Sequence, residues 1–232
     1  MKSLSRIPLA LSCFVLGTLP LAAASVVYSN GLPNQQSGEE MTHWMHGDDI
    51  QVTTPITFDT IRFWNLEATG GAAYNGSVVW VINQDNPGFP AVATVGSAPA
   101  TPARTLIQSI TSGTWAGFDE YQNDISLSVP ITLTAGTYWL VLHNGGYSFD
   151  SDQSFYWETT DNNGTSNSYN FVRTGMPPGP WIINNNLSAP VAEAQLAYQL
   201  LDSGASTPEP GTLMMIAAGF ALIAGSRRSR RP

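Results

Sequence analysis

Between Ser25 and Ser206 the chain is a succession of short runs in which apolar and polar residues alternate. Strict alternation over four to eight residues is the signature of a strand with one buried face. Asp124-Ile125-Ser126-Leu127-Ser128-Val129 alternates without error, and Leu196, Tyr198 and Leu200 share one face of Ala194 to Leu200. Thr57 to Phe63 alternates around Phe58 and then slips near Ile61, which predicts a bulge. Val78 to Ile82 and Tyr138 to Leu142 are apolar on both faces and read as central strands. Gly, Pro, Asn and Asp break the runs at Gly70-Gly71, Asn83 to Pro90, Pro99 to Pro102, Asn144 to Gln153, Asp161 to Asn167 and Met176 to Pro180. No segment in this region has the 3.6-residue period and caps of an amphipathic helix, and no internal repeat is found. About ten short strands predict an all-β fold, an antiparallel β-sandwich of jelly-roll type.

The two ends follow another pattern. Lys2 and Arg6 precede an apolar stretch from Ile7 to Leu21, followed by Ala22-Ala23-Ala24. A positive start, an apolar stretch and small residues at a cut point make a signal peptide over 1–24, cleaved by signal peptidase between Ala24 and Ser25, with Ala22 completing the A-x-A pattern. Pro8 and Pro20 argue against a permanent helical anchor, and Ala10-Leu11-Ser12 ahead of Cys13 is not a lipoprotein signal. At the other end Pro208-Glu209-Pro210 leads into an apolar run from Thr212 to Gly225, then Arg227, Arg228, Arg230 and Arg231. These 14 residues would make a helix about 21 Å long, short against roughly 30 Å of hydrocarbon. The arginines would stay in the cytoplasm, as would the positive N-terminus. The expected organisation is a signal peptide at 1–24, a β-sandwich ectodomain at 25–206 and a sorting tail with a short transmembrane helix at 207–232.

The tail resembles the PEP-CTERM sorting signal of Gram-negative bacteria over about 25 residues, with Gly211 where a serine is usual. That resemblance implies recognition by an exosortase, a membrane transpeptidase that cuts near the motif. It also implies a host that makes extracellular polysaccharide. The physics of the segment agrees, because two prolines keep the peptide extended just outside the bilayer. The expected route is export, transient anchoring in the inner membrane, and release to the cell envelope, surface or extracellular space. The middle region is loosely similar to β-sandwich ectodomains found ahead of such tails.

Charge narrows the partners. Ser25 to Ser206 holds three arginines, no lysine and sixteen acidic residues, a formal charge of −13. Such a surface repels nucleic acid and anionic lipid. Cys13 is the only cysteine and lies in the leader, so disulfides and zinc-thiolate sites are excluded from the ectodomain.

Candidate chemistry is sparse. His43-Trp44-Met45-His46-Gly47-Asp48-Asp49 is the densest set of ligand types, but His43 and His46 converge only on a turn or helix. Asp48 and Asp49, with Asp150 and Asp152, are the candidate oxygen ligands for a structural Ca²⁺; no other cofactor is expected. Tyr147, Tyr156, Trp157 and Trp181 are candidates for stacking on sugar rings. His143 reads as a hydrogen-bonded strand residue. Motifs for nucleophilic, zinc-dependent or phosphate chemistry are missing from the sequence, and an acidic pair for glycoside hydrolysis leaves no motif. The reading is a non-enzymatic surface or matrix protein associated with extracellular polysaccharide. The alternatives are a glycan-binding module and, third, a glycoside hydrolase.

Overall fold

A computed structural model describes residues 24–70, 73–85, 90–146, 154–161, 171–173, 182–183 and 195–204. The chain divides into two units, one spanning Ala24–Ser206, the other formed by the two ends, which lie outside the described residues. Among the described residues every regular element is a strand. In chain order they are β1 (Ser25–Ser29), β2 (Pro33–Glu40), β3 (Met45–Val52), β4 (Ile56–Ala68), β5 (Val78–Asp85), β6 (Pro90–Ala100) and β7 (Ala103–Ile110). They continue with β8 (Phe118–Leu133), β9 (Gly136–Asn144), β10 (Phe155–Thr160), β11 (Phe171–Arg173), β12 (Ile182–Ile183), β13 (Gln195–Leu196) and β14 (Tyr198–Asp202).

These strands form two antiparallel sheets. The six-stranded sheet runs β12-β11-β3-β9-β5-β6. Its interior strands β5 and β9 are the two doubly apolar runs of the sequence. Their inner residues Val78, Trp80, Ile82, Tyr138, Leu140 and Leu142 enter the main core, while Val79 and Val141 pack with Met45 on the outer side. The eight-stranded sheet is built on β4, which pairs with β8 along one edge and with β14 and then β10 along the other. Beyond them lie β7 against β8, β1 against β14, and β2 and β13 against β10. The register of β4 shifts between Phe58 and Thr60, close to the predicted slip. One core joins the sheets, with Phe58, Ile61, Phe63, Phe155, Trp157 and Tyr198 from one meeting Ile50, Trp80 and Leu140 from the other. That arrangement is consistent with a sandwich.

Two expectations change. The strands are more numerous than ten, and β4 and β8 run to 13 and 16 residues. Asp48 and Asp49, expected as oxygen ligands for Ca²⁺, lie inside β3, buried.

Candidate functional site

The outer face of the eight-stranded sheet carries the most unusual chemistry. Alternation along β4 sends Ile61 and Phe63 to the core and leaves Trp64 and Leu66 on the opposite face. Tyr156 of β10 and Glu120 of β8 lie opposite Leu66 on its two sides, and Gln108 of β7 lies opposite Glu120. Residues directly opposite one another share a face, so Tyr156, Leu66, Glu120 and Gln108 form one row across four strands.

An aromatic cluster ends this row. The turn between β7 and β8 is closed by the Ala116 N–H to the Gly113 carbonyl (3.2 Å) and the Phe118 N–H to the Trp115 carbonyl (3.0 Å). Its glycines Gly113 and Gly117 take φ of +83° and +89°, where a side chain is strained. This turn delivers Trp115 to 5.1 Å from Phe118, edge to face, and to 5.3 Å from Tyr156. All three rings are half-buried. Gly38 of β2 allows the approach of the neighbouring strand, because a Cβ there would lie 2.8 Å from the Tyr156 Cβ.

Beside the rings sits a carboxyl pair, Glu120 and Glu158, both buried. Gln35 joins them. Its side-chain amide donates to Glu120 Oε2 (2.8 Å) and its backbone N–H donates to Glu158 Oε1 (2.8 Å). Gln108 donates a second amide bond to Glu120 Oε2 (2.7 Å). Gln35 holds φ at +57°, in the left-handed region that a non-glycine residue occupies only when its surroundings enforce it. The Glu158 carboxyl is pushed up to about 8, by burial first and then by the charge of Glu120, against the opposing effect of the Gln35 N–H. Its Oε2 is buried without a partner, as suits a carboxyl that keeps its proton at neutral pH. The pair lies beneath Gln35, which is exposed, so it clamps β2 to the sheet.

The residues singled out from the sequence fall in different places. Tyr156 is part of the aromatic cluster. Trp157, one position on, faces the other way: it is fully buried against Phe63 and Tyr198, with its indole N–H donating to the Ala197 carbonyl (3.0 Å). It is a core residue, which corrects its reading as a sugar-stacking ring. Tyr147 and Trp181 lie outside the described residues.

Asp48 and Asp49 are likewise corrected. Asp48 Oδ2 accepts from the Leu196 N–H and from Asn30 Nδ2 (3.0 Å), and its Oδ1 accepts from the Asp49 N–H (2.8 Å). Asp49 Oδ2 accepts from Gln51 Nε2 (2.9 Å). Oxygens committed to N–H donors inside a core are not offered to a cation, and burial raises both carboxyls. Asp150 and Asp152 lie outside the described residues. Among the described residues no three His, Cys, Asp or Glu side chains converge in a metal-binding group.

The histidines have separate surroundings. His43 meets the Trp44 ring edge to face at 4.4 Å. His46 donates from Nε2 to the Glu40 carbonyl (2.7 Å), and burial pushes it down to about 4, so it is neutral. Its Nδ1 lies 4.0 Å from Glu39, whose carboxyl burial pushes up to about 7. His143 donates from Nε2 to the Thr42 carbonyl (3.0 Å), the hydrogen-bonded strand role read from the sequence.

Of the processing residues, Ala24 is exposed just ahead of β1 and Ser25 opens that strand opposite Asp202. Ala22, Pro208, Glu209, Pro210, Arg227, Arg228, Arg230 and Arg231 lie outside the described residues. Sequence reasoning missed Gln35, Gln108, Trp115, Phe118, Glu120 and Glu158. A usable signal was present in Phe118-Asp119-Glu120-Tyr121-Gln122, where alternate positions place an aromatic and a carboxyl on one face after a glycine turn.

Comparison with known families supplies a match at one end. Residues 206–231 match the family described as the PEP-CTERM protein-sorting motif. No curated protein matches the chain.

Proposed function

We propose that this chain, an exported protein targeted to an exosortase by its PEP-CTERM motif, is a non-enzymatic surface or matrix protein associated with extracellular polysaccharide. The match over 206–231 carries the reading. In it, signal peptidase removes 1–24, the run from Thr212 to Gly225 holds the tail briefly in the inner membrane as a short helix, and exosortase cuts near Pro208-Glu209-Pro210. The β-sandwich, of jelly-roll type, is then released to the envelope or beyond. The register of Ser25 against Asp202 supports this route, because both ends leave the ectodomain from neighbouring strands at one sheet edge. A domain held at two adjacent points can face a single membrane without strain.

A second reading, a glycan-binding module, draws support from the cluster of Trp115, Phe118 and Tyr156 on an outer sheet face. Pyranose C–H groups pack on such rings, and the neighbouring Gln and Glu side chains suit hydroxyls. The Glu120 and Glu158 pair supports a structural role over a hydrolytic one, since both carboxyls are buried beneath Gln35.

The test compares host cells with and without exosortase. With the enzyme, the mature protein lacks the arginine cluster, leaves the inner membrane and co-sediments with extracellular polysaccharide. Without it, the intact tail accumulates in the membrane, and replacing Pro208-Glu209-Pro210 by alanines has the same effect. An intact tail on exported protein in enzyme-positive cells would overturn sorting. Release without co-sedimentation would remove the polysaccharide association alone.

A further inference from the structure

Glu67 of β4 and Asp119 of β8 stand directly opposite each other in the register. Both lie on the core-facing side, in line with Phe63 on β4 and beside Phe155 of β10, which pairs with Glu67. Glu67 is fully buried and Asp119 is 6% exposed. Like charges placed opposite each other destabilise a sheet, and a buried carboxylate without compensation is costlier still.

Compensation is half complete. Arg104 binds Glu67 Oε1 at 2.8 Å and also donates to Asn123 (3.1 Å). Its guanidinium is clamped between the rings of Tyr74 and Tyr121, 4.3 and 4.2 Å from their centroids, and so is fixed on the Glu67 side. Glu67 Oε2 and Asp119 Oδ1 are left buried with no partner, and the Tyr74 hydroxyl is a third buried oxygen without one. The charges of both Glu67 and Asp119 reach Tyr121, whose hydroxyl is raised by burial first and then by these two carboxylates. Paired directly across β4 and β8, the two carboxyls are neighbours on one face. Two carboxylates and one guanidinium carry a formal charge of −1, and the unfilled atoms are hard oxygens.

We propose that the space between Glu67 and Asp119 is a binding site for Ca²⁺. Glu67 Oε2 and Asp119 Oδ1 are the two carboxylate ligands, and water and carbonyl oxygens complete the shell, as this ion accepts. The ion removes the repulsion across the β4–β8 pair.

The experiment is a Ca²⁺ titration of the chelator-stripped full chain, read by thermal melting, with a parallel Tb³⁺ titration read by luminescence sensitised by nearby aromatics. Saturable Tb³⁺ emission that Ca²⁺ displaces is expected. Ca²⁺ at about 100 times its Kd should raise Tm by roughly 5–10 °C. Glu67→Gln strands Arg104 and endangers folding, so Asp119→Asn is the informative variant. Without metal it melts above the metal-free parent, because the opposed charge is gone, and Ca²⁺ no longer shifts it. Asp59→Asn, at a half-exposed acid on the same strand that bonds Ser203, keeps the full shift. Absence of saturable emission, or an equal Ca²⁺ shift in Asp119→Asn and the parent, overturns the site.

Discussion

Ser25 lies opposite Asp202, so the first strand of the ectodomain pairs with the last. The pairing continues from Val26 against Leu201 to Ser29 against Gln199. A cut several residues later than Ala24 would remove strand hydrogen bonds and uncover the edge of β14. N-terminal sequencing of the exported protein is therefore expected to read Ser25-Val26-Val27. Deleting residues 25–29 also removes the packing of Val27 and Tyr28 on the core. It should cost about 3 kcal/mol or more in a urea melt, the scale of losing two buried side chains. A mature terminus beyond Tyr28 would contradict this account of the edge.

The raised carboxyls set a pH dependence. Unfolded, Glu158 loses its proton near 4.5; folded, it keeps it up to about 8. Between those values the unfolded chain binds fewer protons than the folded one, so stability falls as pH rises through the window and levels above it. Glu39, held up to about 7, adds to the same slope. Urea melts at pH 5 and pH 8 should show the parent losing stability toward pH 8. Glu158→Gln should recover a few kcal/mol of that loss, at about 1.4 kcal/mol per pH unit of the window. An unchanged difference between the two pH values in this variant would place the Glu158 proton elsewhere.

Asp48 is also raised by burial, and its structural value lies in what it accepts. Three N–H groups, from Leu196, Asn30 and Asp49, end on it. Removing the acceptor strands buried donors, each costing about 1–3 kcal/mol. Asp48→Ala should therefore cost about 3–5 kcal/mol. Asp48→Asn should fall between it and the parent, since one oxygen remains and the new amide faces a donor. Equal stability of the alanine variant and the parent would remove Asp48 from the structural frame.

How much of this was legible depends on what periodicity encodes. Alternation reports that a side chain has a buried face, so the all-β class, the bulge in β4 and the central position of β5 and β9 were readable from Val78 to Ile82 and Tyr138 to Leu142. It does not say which face of a strand another sheet covers, so Tyr156 and Trp157 read alike from the sequence although only Tyr156 lies on the outer face. Nor does composition say what an acid is bonded to. Asp48 reads as a candidate oxygen ligand because its donors Asn30 and Leu196 are remote in sequence. Strand β2, Pro33 to Glu40, has no apolar rhythm, because Gln35 and Glu39 serve hydrogen bonds and buried polar contacts instead of a greasy face. The sorting motif was legible because an enzyme reads it as an extended peptide, directly as sequence.

The aromatic face offers the sharpest test of what the ectodomain touches. Trp115, Phe118 and Tyr156 are close enough to form one surface, and none is needed to fill the core between the sheets. Trp115 hangs on a turn, so Trp115→Ala removes a ring without opening a cavity between sheets. If the face binds polysaccharide, each lost ring should weaken binding about tenfold, equivalent to about 1.4 kcal/mol. Tyr156→Ala should act similarly, and the double variant more strongly still. Val129→Ala, at a 70% exposed position near the other end of β8, provides the control and should bind like the parent. Affinity electrophoresis through gels containing the host's extracellular polysaccharide reads these differences, with thermal melts confirming that each variant is folded. Folded variants that migrate as the parent does would show that this face is not where sugar binds, and would leave the cluster as an anchor for the β7–β8 turn.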